Sequence, residues 1–155
     1  PPFWGREKGM RTMSVPESQR GESKAEFLNS AYDLHVMTIK LCMKMDKRLT
    51  LLLKQEICHW AAECHAHAKA ANSAFPRNKM DAQKRRDHLT EANCAVQALY
   101  SLLDVAKGLN QVTATKVTEN ELTEWLDLAA AEAKLLAAVK ESDLERYKDL
   151  PPGPM

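Results

Sequence analysis

Glycine is scarce in this chain, with five in 155 residues, and aromatic residues make up 6%. No Gly-rich phosphate-binding loop of any kind can be found. Valine and isoleucine are far outnumbered by alanine and leucine. That imbalance disfavours strands, because β-branched side chains stiffen a helix while Ala and Leu lose little freedom in one. No apolar run approaches the roughly 18 residues that span a bilayer. Residues 1–20 carry Arg6, Lys8 and Arg11 with no apolar stretch behind them, so no signal peptide is expected and the expected location is cytoplasmic. There is no CxxC pair. Cys42, Cys58, Cys64 and Cys94 all fall within helix-like segments and are expected to be free, buried and reduced.

What is present is a helical pattern with a core behind it. Hydrophobic residues make up 45% of the chain, enough for one domain without staples. Residues 1–22 hold Pro1, Pro2, Gly5, Gly9, Pro16 and Gly21 without periodicity and read as a disordered tail. The domain is expected over 23–148, with a second short tail over 149–155.

The first helix is expected from Ser23 to Lys44, opened by a Ser23/Glu26 capping box, with Phe27, Ala31, Leu34, Leu41 and Met45 in its stripe. The second runs from about Leu49 to Ser73 through Leu53, Ile57, Trp60, Cys64, Ala68 and Ala71, and Pro76 follows its end. The third runs from about Asn78 or Lys79 to Leu109, buried through Leu89, Ala92, Val96, Leu99, Leu103 and Ala106. The fourth opens at a Thr118/Glu121 capping box and continues to about Ser142 through Leu122, Trp125, Leu128, Ala129, Leu135, Leu136 and Val139, with a residual helical turn expected through Leu144 and Tyr147. Three short connections predict an all-α, antiparallel up-down-up-down bundle. The wide stripes of the first and fourth helices point to self-association.

Few arrangements here suit catalysis. Cys58, His59, Cys64, His65 and His67 are the densest metal-capable group, but zinc ligands must converge and these point to several sides of one helix. The Glu-x-x-His pairs of di-iron bundles are missing. No third group activates a Cys–His pair. No metal, cofactor or catalytic residue is therefore assigned, and a non-enzymatic protein is expected.

The remaining signal is basic. Residues 1–95 carry sixteen Lys and Arg against eleven Asp and Glu, and residues 96–155 carry six against ten. One group, Lys40, Lys44, Lys47, Arg48 and Lys54, surrounds the first connection. Another, Arg77, Lys79, Lys84, Arg85 and Arg86, surrounds the second. Clustered cations suit phosphate contacts, although Asp46, Asp81 and Asp87 interrupt both groups.

Several stretches resemble one family. They are Ala31-Tyr32-Asp33-Leu34, the run Leu53 to Ile57, Ala71-Asn72-Ser73, the run Arg86 to Ala92, and the run Leu102 to Lys107. Glu132 and Lys140-Glu141-Ser142 add to them. Together they resemble the Avd-like four-helix bundle proteins, the accessory variability determinants of diversity-generating retroelements. That family is related to the four-helix proteins of ribosomal-RNA intervening sequences. The likeness spans about the central two thirds of the chain. It departs at Met45-Asp46-Lys47, where the family often has Phe-Pro, and at Ala133 and Ala137-Ala138-Val139 in the last helix. The resemblance implies a homopentameric barrel with a basic surface. It also implies reverse transcriptase and template-repeat RNA as partners, and a role in mutagenic complementary-DNA synthesis. The alternative is a stand-alone bundle of the intervening-sequence type, oligomeric or RNA-binding, without a polymerase.

Overall fold

Apolar residues three and four positions apart share one side of a helix, and each such stripe here is buried against its neighbours. The computed structural model describes residues 25–154. It contains four long helices and, among the described residues, no strand: α1 (Glu26–Lys44), α2 (Gln55–Ser73), α3 (Lys79–Asn110) and α4 (Glu119–Arg146). Their main contacts close a circuit, α1 on α2, α2 on α3, α3 on α4 and α4 on α1. The expected stripes form the core, with Leu34, Ile57, Leu89, Val96, Leu99, Leu103, Leu122, Trp125 and Leu136 all fully enclosed. No helix among the described residues is long and apolar enough to cross a membrane.

Trp125 is the largest enclosed side chain. Its indole N–H donates to Thr38 Oγ1 at 2.9 Å, and the Thr38 hydroxyl donates in turn to the Leu34 carbonyl at 2.7 Å. This chain of bonds satisfies two polar groups that burial would otherwise leave costly, and it joins α4 to α1.

Helix ends agree with the sequence in one case and depart from it in others. At the start of α4 both bonds of the Thr118/Glu121 capping box are formed. The helix runs on to Arg146, taking in the further turn expected beyond Ser142, and Asp143 within that turn is held inward by a partner described below. At the start of α1 the cap is Ala25, which makes no side-chain bond, and Ser23 lies outside the described residues, as does the expected tail over 1–22. The second helix does not begin at Leu49. A 3-10 turn (Lys47–Leu49) and a π-helical turn (Thr50–Lys54) precede α2. Asp46 caps the first of these by accepting from the Arg48 amide. The wider π turn shifts the register, so Leu53 faces the core while Leu51 and Leu52 face out.

The connections are tied to one another. The Asp46 amide donates to the Thr115 carbonyl at 3.0 Å, linking the α1–α2 and α3–α4 connections. Thr115 is enclosed and braces its own loop by accepting from the Val117 amide. The segment expected to be a second tail is anchored: the Lys79 amide donates to the Pro151 carbonyl at 2.7 Å. Gly153 takes φ +104°, and a Cβ there would lie 3.0 Å from the Asn78 side chain, so the close approach requires glycine.

Two substitutions test this reading. Thr38→Val strands the buried Trp125 N–H and is expected to cost about 1–3 kcal/mol. Thr118→Ala removes the cap and is expected to cost about 1 kcal/mol. Urea unfolding of each variant measures both.

Candidate nucleic-acid interface

The two expected basic groups lie at opposite ends of the molecule. Lys44 pairs with Glu121 in the first turn of α4, and Arg85 pairs with Asp143 in its last turns. Along one continuous helix those two carboxylates are about 33 Å apart. The structure therefore does not merge the groups into one patch.

At the first end most cations have partners. Lys44 Nζ donates to Glu121 at 2.6 Å. Arg48 makes two side-chain bonds to Asp46, and these, with the Arg48 amide, hold the Asp46 carboxyl down at about 2. Lys54 Nζ donates to the Met45 carbonyl at 3.2 Å. Lys40 and Lys47 are exposed on the same part of the chain. These exposed pairs add little stability but do lower the net field of this end. The same region carries large exposed apolar side chains: Met43, Leu51 and Leu52 are 81%, 80% and 78% exposed, and Tyr32 and Ile39 extend the stripe along α1.

The second end differs. Arg77, Lys79 and Lys84 are exposed and Arg86 is half-buried, and none of the four side chains forms an ion pair with a described residue. The Asn78 side chain caps α3 by accepting from the Asp81 amide, which fixes where these cations sit on the first turns. Lys79, Gln83, Arg86, Asp143, Leu144 and Tyr147 line a recess of about 300 Å³ between α3 and the end of α4, and Lys148 at its edge is paired with Glu145. Backbone-directed binding of a nucleic acid needs such clustered cations, with a ring nearby for stacking.

Arg85 is a correction to the sequence reading. It stands between two surface cations but is buried, four residues before Leu89 on the inner stripe. Its Nε donates to Asp143 Oδ2 at 2.6 Å, and its Nη1 donates to the Ala71 carbonyl at 2.9 Å. The guanidinium carbon also lies 5.9 Å from the Phe27 ring centre and 6.0 Å from that of Tyr147. Arg85 is thereby removed from the contact surface and becomes a structural member of it. Asp143, which the sequence reading did not single out, lies on the extension of the α4 stripe.

The cysteines and histidines diverge rather than converge. His65 turns toward His35 on α1, with Nδ1 atoms 2.9 Å apart, and His67 toward His88 on α3, at 3.0 Å. Cys64 points at the enclosed Glu132, 3.8 Å away. Burial pushes the Cys64 thiol up, and Glu132 adds to it; burial and the neighbouring Cys58 do the same to Cys42. Such thiols stay protonated and unreactive. Cys94 is exposed and Cys58 half-buried, contrary to the expectation that all four are buried, and Cys94 lies off the α3 stripe. Among the described residues no group of three or more His, Cys, Asp or Glu could hold a metal ion.

Truncation of Arg85 leaves Asp143 buried and unpaired. Arg85→Ala is expected to destabilise by about 3–5 kcal/mol, whereas the double change Arg85→Met/Asp143→Leu retains most of the stability. Thermal unfolding of the three proteins distinguishes a buried pair from a surface one, for which all three would unfold alike. No family model, no curated protein and no solved structure matches the chain.

Proposed function

We propose that the chain is a non-catalytic accessory subunit of a diversity-generating retroelement, one that binds structured RNA and the reverse transcriptase that copies it. The observation that carries the reading is the second basic end, where Arg77, Lys79, Lys84 and Arg86 lack ion-pair partners among the described residues. Cations left unpaired at fixed spacing are available to phosphates, and each contact releases counterions. Mechanistically this is electrostatic capture and positioning, with no bond made or broken by this chain. The resemblance of the helix patterns to the Avd-like proteins supplies the polymerase and the template-repeat RNA as partners.

The same reading includes the finer architecture. Contacts between the end of α1 and the start of α4, and between the start of α3 and the end of α4, support an antiparallel up-down-up-down order. Exposed Met43, Leu51 and Leu52, grouped at one end with the Tyr32 and Ile39 stripe, support self-association, since a contiguous exposed apolar patch is characteristic of an interaction surface. A ring of five copies, as the resemblance implies, repeats each basic end five times and multiplies weak contacts into strong retention.

Two measurements test it. The full-length protein, tagged in its native host, is expected to co-purify with a reverse transcriptase and one structured RNA. Lys79→Glu/Lys84→Glu/Arg86→Glu is expected to lose the RNA and flatten the salt dependence of binding, while remaining folded because Arg85 is left intact. Recovery of neither partner from cells expressing the whole locus sinks the accessory role and leaves a stand-alone bundle. In the second measurement, Leu51→Glu/Leu52→Glu is expected to lower the assembly to a smaller species by light scattering, and an unchanged mass removes that turn from the interface.

A further inference from the structure

Two imidazole pairs flank α2, and they are built differently. His65 and His67 are two residues apart, so they face opposite neighbours, α1 and α3. In the α1 pair, His35 and His65 oppose their Nδ1 atoms at 2.9 Å, with ring centres 5.2 Å apart. Tyr32 of α1 sets its ring edge-on at 5.8 Å from His65, and Lys69 of α2 lies one turn beyond it. No carboxylate among the described residues pairs with either ring. In the α3 pair, His67 and His88 oppose their Nδ1 atoms at 3.0 Å, and Glu63 lies 3.4 Å from His67 Nε2.

Two facing Nδ1 atoms share one hydrogen, so each contact needs one ring whose Nδ1 is bare. A second proton sets two N–H groups against each other. Near His67 the Glu63 carboxylate opposes such a charge. Near His65 the ammonium of Lys69 reinforces it.

We propose that the His35–His65 contact is an acid-sensitive latch, whose hold of α1 on α2 weakens on acidification while the His67–His88 contact keeps α2 on α3. Burial holds both His35 and His65 below the ordinary value of 6.5, and for His65 the nearby His35 and Lys69 add to burial. The folded form therefore binds fewer protons than the opened form. The stability of the contact is complete above the ordinary value and is lost as pH falls below it. Each proton excluded weakens closure about tenfold per pH unit in that window.

Amide hydrogen exchange of the full chain between pH 7.5 and 5, corrected for the intrinsic pH dependence of exchange, reads the two interfaces separately. Corrected protection is expected to fall on the α2-facing side of α1 and to persist across α2 and α3. The packing variant His35→Phe/His65→Leu is expected to hold α1 equally well at both pH values. Lys69→Glu, which leaves the core untouched, is expected to move the onset to lower pH. Equal loss from α1 and α3 overturns the latch, as does α1 protection that is flat from pH 7.5 to 5 or unmoved by Lys69→Glu.

Discussion

The buried pair of Arg85 and Asp143 is the constraint around which one end of this structure is arranged. A guanidinium cannot give up its charge, so it can be buried only where its donors are met. Here Asp143 on α4 and the Ala71 carbonyl at the end of α2 meet them, and the guanidinium carbon lies over the rings of Phe27 and Tyr147. Four helices thus contribute to, or directly adjoin, one cation. A slide of α3 against α4 by one helical turn, about 5.4 Å of rise, would pull the 2.6 Å bond out of range. The pair acts on register more than on net stability, since desolvation offsets much of what it gains.

Fixing Arg85 inward also fixes its neighbours outward. Adjacent residues on a helix are splayed by about 100°, so Lys84 and Arg86 are turned to either side of the buried position. The cap formed by Asn78 and the anchored carbonyl of Pro151 hold the first turn beneath them. The basic end is therefore a rigid display of side chains whose backbone has little freedom to rearrange. At the other end, Glu121, Asp46 and the Met45 carbonyl engage Lys44, Arg48 and Lys54, and Met43, Leu51 and Leu52 are exposed beside Lys40 and Lys47.

Much of this was legible in the sequence, for a definite reason. The core residues recur at helical spacing, so Leu89, Ala92, Val96, Leu99 and Leu103 declare an inner face without any knowledge of what covers it. Binary pattern fails where a charged residue continues that face. Arg85 precedes Leu89 by four positions, Glu132 precedes Leu136 by four, and Asp143 follows it by seven; each was hidden because charge is read as surface. The stripe itself was the signal that could have found them. Other features had no local signal at all. The π turn that exposes Leu51 and Leu52 depends on where Leu53 must reach, and the histidine pairs depend on residues 30 and 21 positions apart. The separation of the basic groups to opposite ends follows from how the helices run, which spacing within one helix cannot reveal.

That separation bears directly on how the proposed assembly would work. A surface used for self-association benefits from apolar side chains and from cations already neutralised, because like charges repel when copies approach. A surface used for RNA benefits from the reverse, cations with no acidic partner and a rigid backbone beneath them. One end of this molecule carries Met43, Leu51 and Leu52 beside paired Lys44 and Arg48. The other carries Arg77, Lys79, Lys84 and Arg86 around a buried arginine, with the exposed Phe75, Met80 and Leu144 interspersed among them. Under the proposed reading the two tasks fall to different ends of one bundle, so the contacts that build the ring need not compete with those that hold the nucleic acid.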